Sequence, residues 1–204
     1  AMPSKIIFVR HGHTPHNSTD HKSNRLMGWD NDHVGLSVEG RMDAQITATK
    51  LKNYKIDATY YSDLKRTTET AEIITKILGI AATPNPLIRE RNLGTFAEHT
   101  MHDLKVNRPG EWAKFLDHHD PDWQIPGGES LRDVHARFAQ MLAHLSTNHP
   151  NQTVLLITHS GYIHTVLRDH FGFFAKETFI EVDHTSHTVL TKTQNSYELT
   201  LYNQ

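Results

Sequence analysis

Short apolar runs and longer amphipathic stretches alternate along the chain. Ile6-Ile7-Phe8-Val9 is a block of β-branched and aromatic residues, which predicts a buried strand over 5–9. Leu36-Ser37 opens a predicted helix to about Tyr54, with Ser37 as its N-cap. Ala58-Thr59-Tyr60-Tyr61 predicts a second strand. From Lys65 to Leu78, Ala71, Ile74, Ile77 and Leu78 recur at helical spacing, and Gly79 supplies the stop. Residues 80–90 read as extended, because Pro84 and Pro86 oppose a helix. Residues 91–128 lose this periodicity. They carry Trp112, Trp123 and several prolines, predict one short helix over 110–117, and read as an insert. Leu131, Val134, Phe138, Met141, Leu142 and Leu145 then form one apolar stripe, opened by a Ser130/Asp133 capping box. Val154-Leu155-Leu156-Ile157 predicts a strand buried on both faces. A helix from about Tyr162 to Phe171, ended by Gly172, and strands near 178–182, 187–193 and 197–202 complete the pattern.

Strands alternating with helices predict an α/β fold: one domain over 2–204, built as a three-layer sandwich. The sheet should be mixed and mostly parallel, with helices on both faces, because the last strands lie too close in sequence for parallel crossovers. The length of 204 residues suits a single domain with a real core.

Composition narrows the function classes. Formal net charge is −2, and no clustered basic face is evident, so nucleic acid is not an expected partner. No apolar run approaches the ~18 residues of a membrane span. There is no cysteine, hence no disulfide framework or thiol chemistry, and no signal-like apolar segment opens the chain; a cytoplasmic protein is expected. The 17 histidines are scattered. No HExxH motif occurs, and His118, His119 and Asp120 form only a weak candidate ligand set, so neither metal nor cofactor is expected.

The chemically useful residues fall just past predicted strands. Arg10-His11-Gly12, with Thr14 and Asn17, follows the first strand. Ser62-Asp63-Leu64 and Arg66 follow the second. Arg89-Glu90-Arg91 follows the extended segment, and His159-Ser160-Gly161 follows the last buried strand. Open α/β sheets bind ligands at the carboxyl ends of their strands.

This ordered set resembles the histidine phosphatase superfamily, the phosphoglycerate-mutase-like proteins. The resemblance also covers Arg25, Gly28-Trp29, Leu36-Ser37, Gly40, Thr67, Thr70-Ala71, Gly94 and Gly127-Gly128-Glu129-Ser130. It implies phosphoryl transfer through a phosphohistidine on His11. Arg10, Arg66 and His159 would clamp the phosphoryl oxygens, Asn17 would add a hydrogen bond, and Glu90 would protonate the leaving alcohol. Gly12 and Ser160 would offer backbone amides, while Thr14 and Arg25 would complete the substrate pocket. Two departures stand out. Ser160 occupies a position usually held by glycine, and the loop from Trp29 to Leu36 lacks the usual proline.

The residue types suit those roles. A transferring phosphoryl group spreads charge over three oxygens, so catalysis is mostly positioning and charge stabilisation. Arginine offers a planar, permanently charged fork. Imidazole attacks only when unprotonated, and adjacent guanidiniums favour that state.

Other readings compete residue by residue. Arg66 and Arg25 also suit solvated loops, His159 suits a satisfied core, Glu90 suits an ion pair with its neighbours, and Gly127-Gly128-Glu129-Ser130 suits a turn and helix cap. Trp112, Phe115 and Trp123 suit either a substrate pocket or the insert's own core. The expected activity is hydrolysis of a small phosphorylated metabolite by a monomer or homodimer. A cofactor-dependent mutase and a non-catalytic phosphate- or phosphoprotein-binding module are the alternatives. The acidic stretch Asp117–Asp122 disfavours the mutase, since it would repel a second phosphate.

Overall fold

In the computed structural model, which describes residues 1–204, the first apolar block becomes one of two central strands in a six-stranded sheet. Strand β1 (Lys5–Arg10) pairs in parallel with β4 (Thr153–Thr158) and antiparallel with β5 (His187–Lys192). Strand β2 (Ala58–Tyr61) lies parallel to β4, and the two-residue β3 (Thr83–Pro84) lies beyond it. Strand β6 (Tyr197–Leu201) closes the opposite edge, giving the order β3-β2-β4-β1-β5-β6. The sheet is mixed and mostly parallel, as the pattern predicts.

The interiors of both central strands, Ile6–Val9 and Val154–Ile157, are apolar, as suits strands whose two faces are both buried. Ile6 and Phe8 of β1, with Val154 and Leu156 of β4, join a core completed by Val134, Phe138, Met141 and Leu145 of α5 (Leu131–Asn148). Tyr162 and Ile163 of α6 (Ser160–Thr165) belong to the same layer. Ile7, Val9, Leu155 and Ile157 point the other way. They pack on Ala48 and Leu51 of α1 (Val38–Leu51) and on Ala71 and Ile74 of α2 (Lys65–Leu78). The period-2 geometry of a strand sorts each run onto two helical layers.

The capping signals act as read. Ser37 Oγ accepts the Gly40 amide at 3.0 Å. Gly79 ends α2 at φ +67°, a conformation that glycine reaches without a Cβ clash. Ser130 and Asp133 form the reciprocal capping box of α5.

Several expectations are corrected. Helix α6 starts at Ser160, directly after His159, and passes into one π-type turn over Val166–His170 before Gly172. No strand forms at 178–182. Ile180 and Val182 are buried while Phe179 is 84% exposed, so the side chains alternate as in a strand. Its backbone is held by side chains instead: Arg10 Nη1 donates to the Val182 carbonyl at 2.6 Å. Beyond β3, the segment 80–90 holds a 3-10 turn over Pro86–Ile88. The insert carries two helices, α3 (Met101–Asn107) and α4 (Pro109–Leu116), where one was expected. Leu93, Phe96, Leu104, Trp112 and Ile125 form its own small core, with Phe115 and Trp123 packed against it.

Candidate active site

Strand register builds the site. Arg10 of β1 pairs with Thr158 of β4, and Tyr61 of β2 pairs with Ile157 of β4. The residues that follow, His11, His159 and Ser62, leave three parallel strands at one edge. The two imidazoles are buried and meet edge-on, with centroids 5.3 Å apart.

His11 Nδ1 lies 2.7 Å from the Gly12 carbonyl oxygen. A carbonyl can only accept, so Nδ1 carries the proton and Nε2 keeps its lone pair. Burial, reinforced by the charges of Arg66 and Arg10, holds the His11 pKa well below 6.5. The ring is therefore neutral at neutral pH, with the Nε2 lone pair free. His159 is held low by burial and by Arg66. Its Nε2 lies 2.8 Å from Ser62 Oγ, and its Nδ1 is buried without a partner. If the Ser62 hydroxyl donates to Nε2, Nδ1–H is left to donate to a ligand.

Arg66 leaves the first turn of α2 and is 1% exposed. Its Nη2 reaches the Met27 and Gly28 carbonyls at 3.3 and 3.1 Å, while Nε and Nη1 are buried without acceptors. Arg10 Nε is unpartnered too. Burial lowers both guanidiniums to about 10, which leaves them charged at neutral pH. Charged donors buried without acceptors are costly, and an anion bound among them would relieve that cost.

Glu90 lies two residues past the 3-10 turn. Its Oε1 accepts the Arg91 amide at 2.8 Å and its Oε2 accepts the Gly161 amide at 3.1 Å. The Glu90 carbonyl is held by Trp29 Nε1 at 2.6 Å and by Arg137 Nη2 at 3.2 Å. Arg137 also takes the Leu87 and Arg89 carbonyls and pairs with Glu129 at 3.0 Å. Thus Gly127-Gly128-Glu129-Ser130 forms a turn and cap whose carboxylate anchors the clamp on the Glu90 loop. The flanking arginines do not pair with the Glu90 carboxylate. Arg89 forms a bidentate pair with Asp63, and Arg91 Nε donates to the Glu129 carbonyl.

Thr14 is buried and donates to Asn17 Oδ1 through both its amide (3.0 Å) and its hydroxyl (2.9 Å). The Asn17 carboxamide is thereby oriented with its amino group left to donate. The Gly12 amide is already committed to Thr70 Oγ1 at 3.0 Å, so it is not a spare phosphate donor. Gly12 instead allows close approach to α1, where a Cβ would come within 2.8 Å of the Gly40 carbonyl oxygen. Ser160 is half-buried at the first position of α6. Arg25 is exposed and donates through Nη1 to the Glu98 carbonyl at 2.8 Å; it does not join the His11 cluster. His118 and His119 turn to the Lys176 carbonyl and the Glu177 carboxylate, not to Asp120.

Sequence reasoning missed His184. Its ring centroid lies 5.7 Å from that of His11 and 5.5 Å from that of His13, and its Nε2 is buried without a partner. Burial, then the charge of Arg10, pushes its pKa to about 3. His184 occupies a polar connection without periodicity, so no pattern marked it. Arg137 was missed as well, because an arginine on a helix reads as a solvated charge.

The profile of the histidine phosphatase superfamily (branch 1) matches residues 6–204. Phosphoglycerate mutase-like protein 4 of Arabidopsis thaliana is 32% identical over 166 residues, covering 80% of this chain and 69% of that protein. A solved structure named mycobacterial hydrolase 1 superposes with a TM-score of 0.85 at 25% identity, over 98% of both chains. A mycobacterial glucosyl-3-phosphoglycerate phosphatase in complex with VO3 superposes with a TM-score of 0.82 at 26% identity, over 100% of this chain and 99% of that one. With the family profile spanning nearly the whole chain and the strand-end histidines and arginines gathered at one edge, the protein belongs to the histidine phosphatase superfamily, branch 1.

Proposed function

We propose that the protein is a phosphomonoesterase acting on a small phosphorylated metabolite in the cytoplasm, through a phosphohistidine on His11 and without a metal in the chemical steps. The observation that carries this reading is the His11 ring, with its proton fixed on Nδ1 by the Gly12 carbonyl beside buried, unpartnered nitrogens of Arg10, Arg66 and His159. His11 Nε2 attacks phosphorus and the ester P–O bond breaks. Arg10, Arg66, the His159 Nδ1–H and the Asn17 amino group hold the equatorial oxygens. Glu90 gives its proton to the departing alkoxide. The resulting carboxylate then takes a proton from water, whose oxygen attacks phosphorus. The P–N bond breaks, releasing inorganic phosphate and neutral His11.

Hydrolysis is favoured over mutase action by the supply of cations. Arg10 and Arg66 are the arginines with buried, unpartnered nitrogens, and that matches one phosphoryl group. Arg89, Arg91 and Arg137 are engaged by Asp63, the Glu129 carbonyl and the Glu90 scaffold. The likeness to a phosphatase at 26% identity supports the same reading.

The test is hydrolysis of para-nitrophenyl phosphate from pH 5 to 8 with chelator present, for the native chain and His11→Ala. Turnover by the native chain with loss in His11→Ala is expected. Activity that persists in His11→Ala would overturn the assignment, and activity abolished by chelator would overturn metal independence. Phosphate exchange between substrate hydroxyls faster than net release would favour the mutase.

A further inference from the structure

Three side chains converge outside the phosphoryl site. His16 and His33 come from the loop after β1, and Glu98 comes from the insert. His16 Nε2 lies 2.9 Å from Glu98 Oε2, and His33 Nε2 lies 3.6 Å from Glu98 Oε1. One ligand atom from each of the three lies within 4.8 Å of the others. Around a tetrahedral zinc ion, with bonds of about 2.0–2.1 Å, ligand atoms sit about 3.4 Å apart. The two imidazoles face different oxygens of the Glu98 carboxylate, so a turn of the carboxylate and a small shift of the exposed His33 ring would bring one ligand atom from each residue around an ion.

The carboxylate is also prepared. Asn31 is fully buried and donates through Nδ2 to Glu98 Oε1 at 2.6 Å, while its Oδ1 accepts the Gly28 amide at 2.8 Å. Such outer hydrogen bonds orient ligating carboxylates. Glu98 has φ +71°, a left-handed conformation that is uncommon for a residue with a side chain. It is held there by backbone pairing: the Glu98 amide donates to the Leu26 carbonyl at 2.9 Å, and the Leu26 amide donates to the His99 carbonyl at 3.0 Å. A strained residue thus presents its carboxylate to two imidazoles. An isolated His16–Glu98 hydrogen bond would need neither the Asn31 clamp nor His33, whose side chain is 69% exposed.

We propose that His16, His33 and Glu98 form a binding site for a divalent transition-metal ion of the zinc type, with a coordination position left open. Two imidazoles and one carboxylate suit Zn²⁺, Co²⁺ or Ni²⁺ and disfavour the hard ions Mg²⁺ and Ca²⁺. The ion would tie the loop that carries Thr14 and Asn17 to the insert, two segments already joined by the Arg25–Glu98 hydrogen bond. It takes no part in the chemistry at His11.

The probe is Co²⁺ added to the chelator-stripped chain at pH 7.5, followed by visible d–d absorption and by equilibrium dialysis. One inner-sphere Co²⁺ per chain, displaced by Zn²⁺, is expected. It should be lost, or bound at least tenfold more weakly, in His33→Ala and in Glu98→Gln, and retained in His119→Ala. Far-UV circular dichroism confirms that each variant folds; His33→Ala removes an exposed ring, so it leaves the fold intact. Absence of inner-sphere Co²⁺, binding that survives both His33→Ala and Glu98→Gln, or loss of the same Co²⁺ in His119→Ala would overturn the site. The readout needs no turnover, so it stands apart from the assignment of His11.

Discussion

Glu90 rests on Gly161: the carboxylate accepts the glycine amide at 3.1 Å, and a Cβ at that position would lie 2.4 Å from Glu90 Oε1. The glycine is therefore required by the position of the Glu90 carboxylate and not by the turn. In Gly161→Ala the crowded group is the far end of a flexible side chain, so the carboxylate moves and the fold stays. Alanine also suits a helix better than glycine. The expected result is a fall of roughly 10²-fold in kcat for an alkyl phosphate, the scale of lost acid catalysis. An aryl phosphate with a good leaving group should change much less, and the melting temperature should hold. Glu90→Gln should show the same selectivity. Equal losses on both substrates would remove Glu90 from the acid role.

In the proposed mechanism Arg66 clamps the phosphoryl group as a fork, since its Nη2 is anchored on the Met27 and Gly28 carbonyls and two nitrogens are left over. Arg66→Lys keeps the charge and loses that geometry. We expect kcat/KM to fall by about 10²–10³-fold, the cost of one lost transition-state donor. Inhibition by vanadate should weaken in parallel. Near-native kinetics in Arg66→Lys would mean that the charge alone suffices.

Burial of neutral histidines makes stability depend on pH. His11 and His159 are held well below 6.5, and His164 and His184 lie at about 3, in each case chiefly through burial. Between those values and 6.5 the unfolded chain binds more protons than the folded one. Stability is therefore complete above about pH 6.5 and is lost as pH falls, by up to about 1.4 kcal/mol per pH unit for each such histidine. Urea unfolding at pH 7, 6, 5 and 4 should show this decline. His164→Gln, away from the strand-end histidines, should reduce the slope by about one proton's worth. An unchanged slope would show that His164 is not a buried neutral base.

Much of this was legible because the strongest sequence signals coincide with burial. Ile6–Val9 and Val154–Ile157 are apolar on both faces, so their place between helical layers could be read directly. The Ser130/Asp133 cap and the Gly79 stop fixed helix ends by local chemistry. Helix α3 escaped because it is short and buries only Leu104, which leaves no stripe to detect. The segment 178–182 misled because burial alternates along it while side chains, not a neighbouring strand, satisfy its backbone. For the candidate site, strand-end placement singled out His11, Arg66 and His159, all of which are buried in the structure, with the two imidazoles in contact. It could not tell that the Gly12 amide serves Thr70, or that His184 folds back beside His11, since both depend on contacts between distant parts of the chain.

The central claim is that phosphorus passes through His11 Nε2, and the direct measurement is to trap it there. A ³²P-labelled phosphomonoester is mixed with the protein, quenched in alkali within milliseconds, and the labelled peptide is mapped. The account predicts base-stable, acid-labile label on the peptide containing His11, approaching one phosphoryl group per chain in the first turnover and absent in His11→Ala. Label on another residue, or turnover with no labelled protein at any quench time, would contradict it.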